Sequence, residues 1–451
     1  MPVTNKNESL LLFVGDVVVF FFSLFLMLVI RFKGLPDSGI FFDHVPSFSI
    51  IFVLWFFVFF IAGLYEKHTL ILKSRIPTII LNSQIVNSGI AVLFFYLVPF
   101  FGITPKTNLF IYIIISFGLI LLWRIKGVPL FSTHDREKAI LIGNGEEAEE
   151  LKEEVNNNSR YGLYFVSSIN SDDIQNADFR EEISRRILKN NVQIVAADFK
   201  DQKVEPFLPN LYDLIFSKVR FVDMYKIYED IFDRVPMSLI KYNWFMENIA
   251  VSANKTYDFL KRAMDIVVSL MVGTVSLVFY PFVIAAIKLE DRGPIFITQD
   301  RIGKNNQLVK VMKFRSMTTN DQGEYSGDSA KNNKITKVGS YIRKLRIDEL
   351  PQLWNVLTGD LSLIGPRSEL PALASHYEKE IPYYNIRHLI KPGLSGWAQL
   401  YQREPPKGML DLDKTKLKLS YDLYYLKNRS VMLDLKIALK TIKTLLSSNG
   451  I

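Results

Sequence analysis

Two adjacent carboxylates, Asp348 and Glu349, stand in the C-terminal part of this 451-residue chain, three residues before a turn of Gln, Leu, Trp and Asn. An acid at the start of a helix is stabilised as an anion by the helix dipole, and Pro351 is tolerated in a first turn. Adjacent helical residues diverge by about 100°, so one carboxylate can attack a substrate while its neighbour ligates a hard cation. We therefore expect a helix that begins near Asp348. Alone, the pair is equally typical of an ordinary acidic first turn.

Basic side chains recur on both sides of these carboxylates. Those that we expect to supply positive charge for a diphosphate are Arg301, Lys313, Arg315, Arg343, Arg346 and Arg367. Arginine suits this role because its planar guanidinium donates parallel hydrogen bonds to phosphate oxygens. Taken singly, each of these residues is also typical of a solvated surface charge.

From Lys261 onward the chain carries a series of short motifs in order. They are Lys261-Arg262 with Asp265, Gly293-Pro294, Gln299-Asp300-Arg301, Lys313-Phe314-Arg315-Ser316-Met317, Asp348-Glu349-Leu350-Pro351-Gln352, Gly365-Pro366-Arg367, Lys391-Pro392-Gly393 and Gly396-Trp397-Ala398-Gln399. This series resembles the bacterial initiating polyprenyl-phosphate glycosyl-1-phosphate transferases, also called sugar transferases or monotopic phosphoglycosyl transferases. Each motif is short, so the specificity lies in the complete ordered set.

The resemblance implies transfer of a sugar 1-phosphate from a nucleotide diphosphate sugar, by resemblance a UDP-hexose, to undecaprenyl phosphate with release of UMP. Asp348 is then the nucleophile that forms an acyl phosphate, and Glu349 ligates Mg²⁺. The implied substrate-binding and phosphate-binding residues are Lys313, Arg315, Arg301, Arg343, Arg367 and Gln352. Ser368 stands where the family usually has a second proline, a departure that bears on the rigidity of this loop.

Composition narrows the class of protein. Hydrophobic residues make up 49% of the chain and aromatic residues 13%, which favours a membrane protein. The chain has no cysteine, which excludes disulfides, thiolate metal sites and thiol catalysis, and its five histidines are not clustered for zinc. The net charge of +8 lies beside apolar runs. We therefore expect membrane lipids and phosphorylated substrates, and no nucleic acid, as partners.

Four apolar runs at the N-terminal end are long enough to cross a bilayer, at about 10–30, 47–64, 79–101 and 109–122. They predict a four-helix transmembrane bundle over 1–127. Asp16 inside the first run either faces other helices or reaches the interface. Polar residues of the third run, such as Gln84 and Asn87, either join helices or line a polar substrate path.

Basic residues set the orientation. Lys67, Lys73 and Arg75 follow the second run, and Arg124 and Lys126 follow the fourth. The positive-inside rule places both of these basic segments, and with them the N-terminus, in the cytoplasm. We expect a multi-pass protein of the bacterial inner (cytoplasmic) membrane with a cytoplasmic catalytic domain.

The next region, 136–250, alternates apolar runs at 139–142, 161–167, 192–197 and 219–222 with helical patterns, which predicts a central Rossmann-like α/β domain with a parallel sheet. Its glycine turn carries Gly143 and Gly145, but Ala148 replaces the third glycine of the dinucleotide fingerprint. Glu146 and Glu147 put negative charge where a pyrophosphate binds. A structural role or a homodimer contact is favoured over nucleotide binding.

Residues 254–451 are predicted to form an α-rich α+β catalytic domain. Its first segment, 256–288, is apolar for about 20 residues and is interrupted by Pro281, which favours a kink. The family resemblance implies a re-entrant membrane helix here that returns to the cytoplasmic side. Further along, Tyr377, Tyr384, Tyr425 and Trp397 suit either an interfacial belt or a core. Lys436, Lys440 and Lys443 share one helical face, which suits a membrane surface or plain solvent.

Two other classes of function compete with this interpretation. A membrane-anchored NAD-dependent nucleotide-sugar-modifying enzyme would use Gly143 and Gly145, and it would need a Tyr-x-x-x-Lys pair. Between residues 161 and 250, no tyrosine has a lysine four positions later. A non-catalytic polysaccharide-assembly scaffold is the second alternative, and it gives no reason for paired carboxylates among arginines.

Overall fold

The computed structural model describes residues 6–65, 76–97, 106–127, 136–158, 161–170, 179–199, 201–212, 219–238, 240–249, 255–318, 334–402, 404 and 411–446. The basic loop with Lys67, Lys73 and Arg75 lies outside these residues. The chain forms two compact units, Met1–Ile231 and Phe232–Ile451.

The first unit begins with four long helices. They are α1 (Lys6–Phe32), α2 (Ser38–Ala62), α3 (Ile76–Leu97) and α4 (Lys106–Leu122), the last continued by a π-helical turn, Trp123–Gly127. In length and apolar composition, each of the four suffices to cross a membrane. The predicted set of four apolar helices is confirmed.

The interior of this bundle resolves two choices that the sequence left open. The π-helical turn carries Arg124, which forms a buried ion pair with Asp16, and Tyr65 donates a 2.8 Å hydrogen bond to the same carboxylate. On α3 the buried residues include Ser83, Gln84 and Asn87, and Gln84 donates to Ser116 of α4 at 3.3 Å. Asp16 therefore faces other helices, and Ser83, Gln84 and Asn87 lie inside the bundle, where Gln84 joins α3 to α4.

A four-stranded parallel sheet follows. Its strands are β1 (Glu137–Ile142), β2 (Leu163–Ile169), β3 (Ile194–Ala197) and β4 (Arg220–Asp223), in the order β2-β1-β3-β4. The helices around it are α5 (Glu146–Asn157), α6 (Phe179–Asn190), α7 (Leu208–Tyr212) and α8 (Met224–Phe232). All four residues of β3 are buried, as in strands covered on both faces. The predicted parallel sheet with helices is confirmed.

The carboxyl edge of this sheet is acidic. Asp198 follows β3 and Asp223 ends β4, while α5 begins with Glu146 and Glu147. Gly145 precedes α5 with φ at +91°, so the glycine turn exists, but its surroundings are anionic. Such an edge disfavours a pyrophosphate.

The second unit is mostly helical. Its helices are α9 (Tyr242–Asn248), α10 (Lys255–Ser276), α11 (Tyr280–Asp291), α12 (Lys337–Lys344), α13 (Gln352–Thr358), α14 (Pro371–Glu380), α15 (Trp397–Tyr401), α16 (Leu412–Lys427) and α17 (Val431–Leu446). Its strands are β5 (Phe296–Ile302) and β6 (Leu308–Phe314), which pair antiparallel, and β7 (Ser362–Ile364) and β8 (Gly393–Ser395), which pair parallel.

Helices α10 and α11 form a bent apolar pair with an angle of 56° between them. The break falls at residues 277–279, and Pro281 occupies the first turn of α11 rather than the break itself. Proline fits that position because the first N–H groups of a helix have no helical acceptor. A break near Pro281 was predicted, and it lies a few residues earlier.

Four aromatic residues of this unit that could have formed an interfacial belt belong to its core. Tyr377, Tyr384, Tyr425 and Trp397 are each at most 4% exposed. Lys436 lies 4.8 Å above the Trp397 ring, so its charge contacts an aromatic face instead of standing free on the helix surface. For the four aromatic residues, the core interpretation is the correct one.

The segment that follows α8 packs in the second unit. Val235, Ile240 and Trp244 form one buried cluster with residues of α14 and α16, including Leu419 and Leu423. The predicted domain bounds of 136–250 and 254–451 remain predictions, whereas the compact units divide after Ile231.

Candidate active site

The adjacent carboxylates lie on a 3₁₀ turn, Ile347–Glu349, and the α-helix begins only at Gln352. Arg346 precedes the turn with φ at +54°, a left-handed conformation that redirects the chain after α12. The expectation of an α-helix beginning near Asp348 was therefore wrong. A 3₁₀ turn of three residues has a much smaller dipole than a long helix, so neighbouring charges and burial control these carboxylates.

Two elements bring positive charge to Asp348. Lys313 comes from β6, and Arg343 comes from α12, which Thr336 caps by accepting a 2.8 Å hydrogen bond from Gly339 N. Asn355 of α13 fixes β6 beside the turn because it accepts from Met312 N at 3.0 Å and donates to Lys310 O at 2.8 Å.

Asp348 and Glu349 differ in their ionisation. Burial raises the pKa of Asp348 to about 6, and the Glu349 carboxylate adds to the rise, while Arg343 and Lys313 oppose it. Burial would also raise the pKa of Glu349, but the charges of Arg367 and Arg346 outweigh it and lower that pKa. Arg367 Nη2 donates to Glu349 Oε1 at 2.6 Å, and Arg346 Nη1 lies 3.6 Å from Glu349 Oε2. The pair thus offers one firmly ionised carboxylate and one that titrates close to neutral pH.

The other predicted residues occupy different surroundings. Arg301 contributes positive charge at Glu349, but its guanidinium donates to Gln299 Oε1 at 2.6 Å and to Ser368 O at 3.1 Å. Arg315 is 8% exposed and lies over Gly293, where any side chain would collide with the guanidinium. Gln352 is the half-buried first residue of α13. The structure thus pairs Arg367 and Arg346 with Glu349, and it places Lys313 and Arg343 near enough to oppose the rise in the pKa of Asp348.

Similarity to known proteins is concentrated in the part of the chain that contains this site. The sequence model of the family described as "Bacterial sugar transferase" matches residues 256–448, which include both carboxylates and the bent helix pair. The exopolysaccharide production protein PSS of Rhizobium leguminosarum bv. phaseoli is 40% identical over 189 residues, which are 41% of this chain and 93% of that protein. The chain belongs to the bacterial sugar transferase family.

Longer members of the family match over the same extent of chain. The UDP-N-acetylgalactosamine-undecaprenyl-phosphate N-acetylgalactosaminephosphotransferase of Aeromonas hydrophila is 43% identical over 199 residues, 43% of this chain and 45% of that protein. The UDP-glucose:undecaprenyl-phosphate glucose-1-phosphate transferase of Escherichia coli (strain K12) is 37% identical over 185 residues, 41% of this chain and 39% of that protein. The match spans less than half the length of these two relatives.

The loop after β7 carries Arg367 and is held through its backbone. The carbonyls of residues 366–369 accept hydrogen bonds in turn from Gly393 N, Arg387 Nη2, Arg301 Nη1 and Ile302 N, at 2.9 to 3.1 Å. Gly365 permits the close approach to β8, because a Cβ there would lie 2.6 Å from Lys391 O. The loop therefore has a fixed course although Ser368 replaces the usual proline.

Sequence reasoning missed a group of buried charges next to this loop, formed by Glu369, Arg387, Lys418 and Asp422. A signal was present in α16, where Lys418 and Asp422 stand four residues apart and flank Leu419, on the side expected to be buried. Burial alone would raise the pKa of Glu369, but the charges of Lys418 and Arg387 lower it to about 2. Glu369 is thus an anion balanced by two cations.

The carboxylates suit a magnesium ion that a substrate helps to bind. The ionised Glu349 retains acceptor capacity on Oε2 and offers the hard oxygen ligand that Mg²⁺ prefers. Among the residues that the structure describes, no group of three or more His, Cys, Asp or Glu side chains is arranged for a metal. Mg²⁺ commonly takes one or two carboxylates and completes its shell with phosphate oxygens and water, so a single carboxylate here is compatible with it.

Proposed function

We propose that this chain transfers a sugar 1-phosphate from a nucleotide diphosphate sugar to undecaprenyl phosphate and releases UMP. The observation that carries the proposal is the pair Asp348 and Glu349, with opposite pKa shifts, among Lys313, Arg343 and Arg367. The names of the Aeromonas and Escherichia relatives support UDP-sugar and undecaprenyl phosphate as the substrate classes. Such a transfer is the first membrane step of exopolysaccharide, capsule or O-antigen synthesis.

In the first half of the reaction, an Asp348 carboxylate oxygen attacks the phosphorus that bears the sugar. A bond forms between that oxygen and phosphorus, the phosphoanhydride bond breaks, and UMP leaves with the electron pair. Asp348 is suited to this role because a carboxylate with a raised pKa is less stabilised as an anion and is therefore the better nucleophile. Lys313 and Arg343 beside it are placed to stabilise negative charge on the transferred phosphoryl group.

In the second half, a phosphate oxygen of the lipid attacks the same phosphorus, and the Asp348 carboxylate leaves unchanged. Splitting the transfer in this way lets a soluble donor and a lipid acceptor react one after the other at the same carboxylate. When bound, Mg²⁺ would neutralise charge on the diphosphate. Glu349 would hold it, while Arg367 keeps that carboxylate ionised and in place.

We further propose that α10 and α11 form a re-entrant hairpin that enters the membrane and returns to the same side. Both of its ends are attached to the same folded unit. Near the start of α10, Arg262 donates to Val356 O and Leu357 O at 2.6 and 2.7 Å, and Asp265 accepts from Leu363 N at 3.0 Å. Near the end of α11, Val283 and Ile287 pack against Phe314 and Ile342.

The residues between these attachments suit a lipid environment. Val267, Met271, Val278 and Phe282 are all more than half exposed. Exposed apolar surface of this extent favours burial in lipid. A helix that crossed the membrane would carry its two ends to opposite sides, which does not fit two attachments to one unit. Together with the orientation that the positive-inside rule gives the four N-terminal helices, this hairpin supports our proposal that the catalytic unit lies on the cytoplasmic side of the bacterial inner membrane.

The sheet unit of residues 136–231 is proposed to act in structure or in homodimer contacts. Its acidic carboxyl edge supports this role over that of a nucleotide site. Its Rossmann-like classification remains part of the same proposal.

The first test is release of UMP from a panel of UDP-sugars by the purified full-length protein with undecaprenyl phosphate and Mg²⁺. We expect release with at least one of UDP-glucose, UDP-galactose and UDP-N-acetylgalactosamine. Asp348→Asn should abolish it, by at least about 10³-fold, because removal of a covalent nucleophile eliminates the split pathway. A panel that gives no release, or an Asp348→Asn variant with wild-type rates, would refute the proposed function.

A further inference from the structure

The four charged side chains missed by sequence reasoning form a buried charge network, by which we mean Glu369, Arg387, Lys418 and Asp422. Arg387 and Asp422 are each 1% exposed. Lys418 pairs with Glu369, and Arg387 Nη2 lies 2.8 Å from Asp422 Oδ2. None of these residues touches the carboxylate pair, so the proposed reaction has no direct use for them.

Arg387 is the centre of the network, because all of its donor groups are engaged. Nε donates to Asp422 at 2.9 Å, and Nη1 donates to Tyr384 Oη at 3.0 Å and to Glu369 at 3.4 Å. Nη2 lies 2.8 Å from Asp422 Oδ2 and donates to the backbone carbonyl of Arg367 at 2.9 Å. The planar guanidinium thus donates four hydrogen bonds and forms ion pairs with two carboxylates, and each of its three nitrogens is engaged.

The bond to the Arg367 carbonyl connects this network to the carboxylates. The side chain of Arg367 leaves from the same residue and donates to Glu349 at 2.6 Å. One bond on the backbone and one at the tip of the side chain therefore fix both ends of Arg367. The neighbouring carbonyls of Pro366 and Ser368 accept from Gly393 and Arg301, so the loop cannot turn about this point without breaking several bonds.

We propose that Arg387 is a positioning residue for the transfer reaction: through the buried charge network it fixes the backbone of Arg367 and so directs that guanidinium at Glu349. This inference rests on the proposed function of the carboxylate pair. It also assigns a role to Glu369, Lys418 and Asp422, which hold Arg387 in its single orientation.

An apolar core would not serve the same purpose. Burial of four charges carries a large desolvation cost, and well-packed apolar residues of similar volume are often at least as stabilising. Apolar residues, however, cannot donate to a carbonyl or hold a loop in one direction. A network with a bond to the backbone of an active-site loop is explained by geometry rather than by stability.

Arg387→Lys tests the inference, because lysine keeps the charge but lacks the planar set of donors. We expect the rate of UMP release at saturating donor to fall about 10- to 100-fold, since a misplacement of about 1 Å can cost about 100-fold. The KM for the donor should change by less than about threefold, because the substitution disturbs the orientation of Arg367 and Glu349 and leaves the groups that bind the donor in place. Hydrogen exchange at 365–369 should become faster, while exchange in α13 and α17 stays as in the wild type.

Leu423→Ala is the matched control. Leu423 is fully buried on α16, next to Asp422, and packs in the cluster of α14 and α16, which includes no residue of 365–369. We expect this variant to lose thermal stability and to retain wild-type turnover in its folded fraction. If it loses as much turnover as Arg387→Lys at an equal loss of stability, the effect is general and the inference is overturned.

Two other results would overturn the inference and leave the proposed function intact. They are wild-type turnover in Arg387→Lys, and unchanged exchange at 365–369 in that variant. If the wild type releases no UMP from any donor, the proposed function fails, and the exchange measurement still decides whether Arg387 holds the loop.

Discussion

Asp348 and Glu349 are neighbours in sequence with different electrostatic surroundings. Glu349 faces two arginines, Arg367 and Arg346, whereas Asp348 is buried beside another carboxylate and is only partly compensated by Lys313 and Arg343. Environments that separate the pKa values of two adjacent acids assign them different roles. In this site the separation favours Asp348 as the nucleophile and Glu349 as the permanently ionised ligand.

The raised pKa of Asp348 predicts a pH-dependent effect on stability. Because the pKa in the folded protein is about 6 rather than the ordinary 3.8, the folded state holds this proton more tightly than the unfolded chain. The wild type therefore loses stability as pH rises through this range, and Asp348→Asn does not. The variant should gain on the order of 1–3 kcal/mol in unfolding free energy at about pH 8, and almost nothing at about pH 3.

This gain is measured by thermal unfolding of the purified protein in EDTA, so that bound metal does not contribute. Glu349→Gln serves as the control. It removes a like charge from beside Asp348 but also leaves the partly buried Arg367 guanidinium without its anionic partner, so it should be destabilising at neutral pH. An equal effect of Asp348→Asn at both pH values would contradict the assigned pKa.

The charged residues of the candidate site could be picked out from the sequence, but several of their contacts could not. The motifs identified the carboxylates and the arginines around them. Whether an arginine binds phosphate or another protein group depends on which side chains the fold brings near it. Arg301 donates to Gln299 and to the loop backbone, and Arg315 lies over Gly293, and neither contact has a signature in spacing.

At the scale of elements, the bent pair α10–α11 is the basis of the proposed placement of the catalytic unit at the membrane. Since the natural chain has no cysteine, single introduced cysteines report cleanly on its topology. Asp258→Cys and Leu289→Cys lie at exposed positions near the two outer ends of the pair. Val278→Cys lies at the break between the helices. We expect a membrane-impermeant maleimide to label the two flanking sites from the cytoplasmic side only, and to leave Val278→Cys unlabelled from either side.

This pattern follows from two attachments on one unit with an apolar tip between them. Labelling of the flanking cysteines from opposite sides would show a crossing helix and contradict the re-entrant proposal. Active protein in each single-cysteine variant is the required control.

The carboxylate turn and the Arg367 loop show why element boundaries are hard to predict locally. The 3₁₀ turn at Asp348 depends on the left-handed conformation of Arg346, and arginine has no particular preference for that conformation. The course of the Arg367 loop depends on hydrogen bonds from β5, β8 and Arg387, all distant in sequence. A missing proline therefore says little about rigidity when the loop is held from outside.

At the scale of the whole molecule, the chain consists of an N-terminal unit of apolar helices and a parallel sheet, and a C-terminal unit that contains the match to the sugar transferase family. The sequence predicted the four helices and the four strands to within about four residues at each boundary except the start of α2, which lies nine residues earlier than predicted. Length and hydrophobic periodicity are local signals, which is why they succeed for the other boundaries. It did not predict that residues 232–249 pack in the core of the second unit. That assignment depends on contacts between distant segments.

The most direct test of the account is detection of the covalent intermediate. Purified wild-type protein is incubated with Mg²⁺ and the UDP-sugar it accepts, without undecaprenyl phosphate, and its intact mass and peptide masses are measured. We predict an added sugar phosphate on Asp348 that appears together with one equivalent of UMP, is absent from Asp348→Asn, and is lost when undecaprenyl phosphate is added. UMP release that requires both substrates, with no adduct on the wild type, would contradict nucleophilic attack by Asp348.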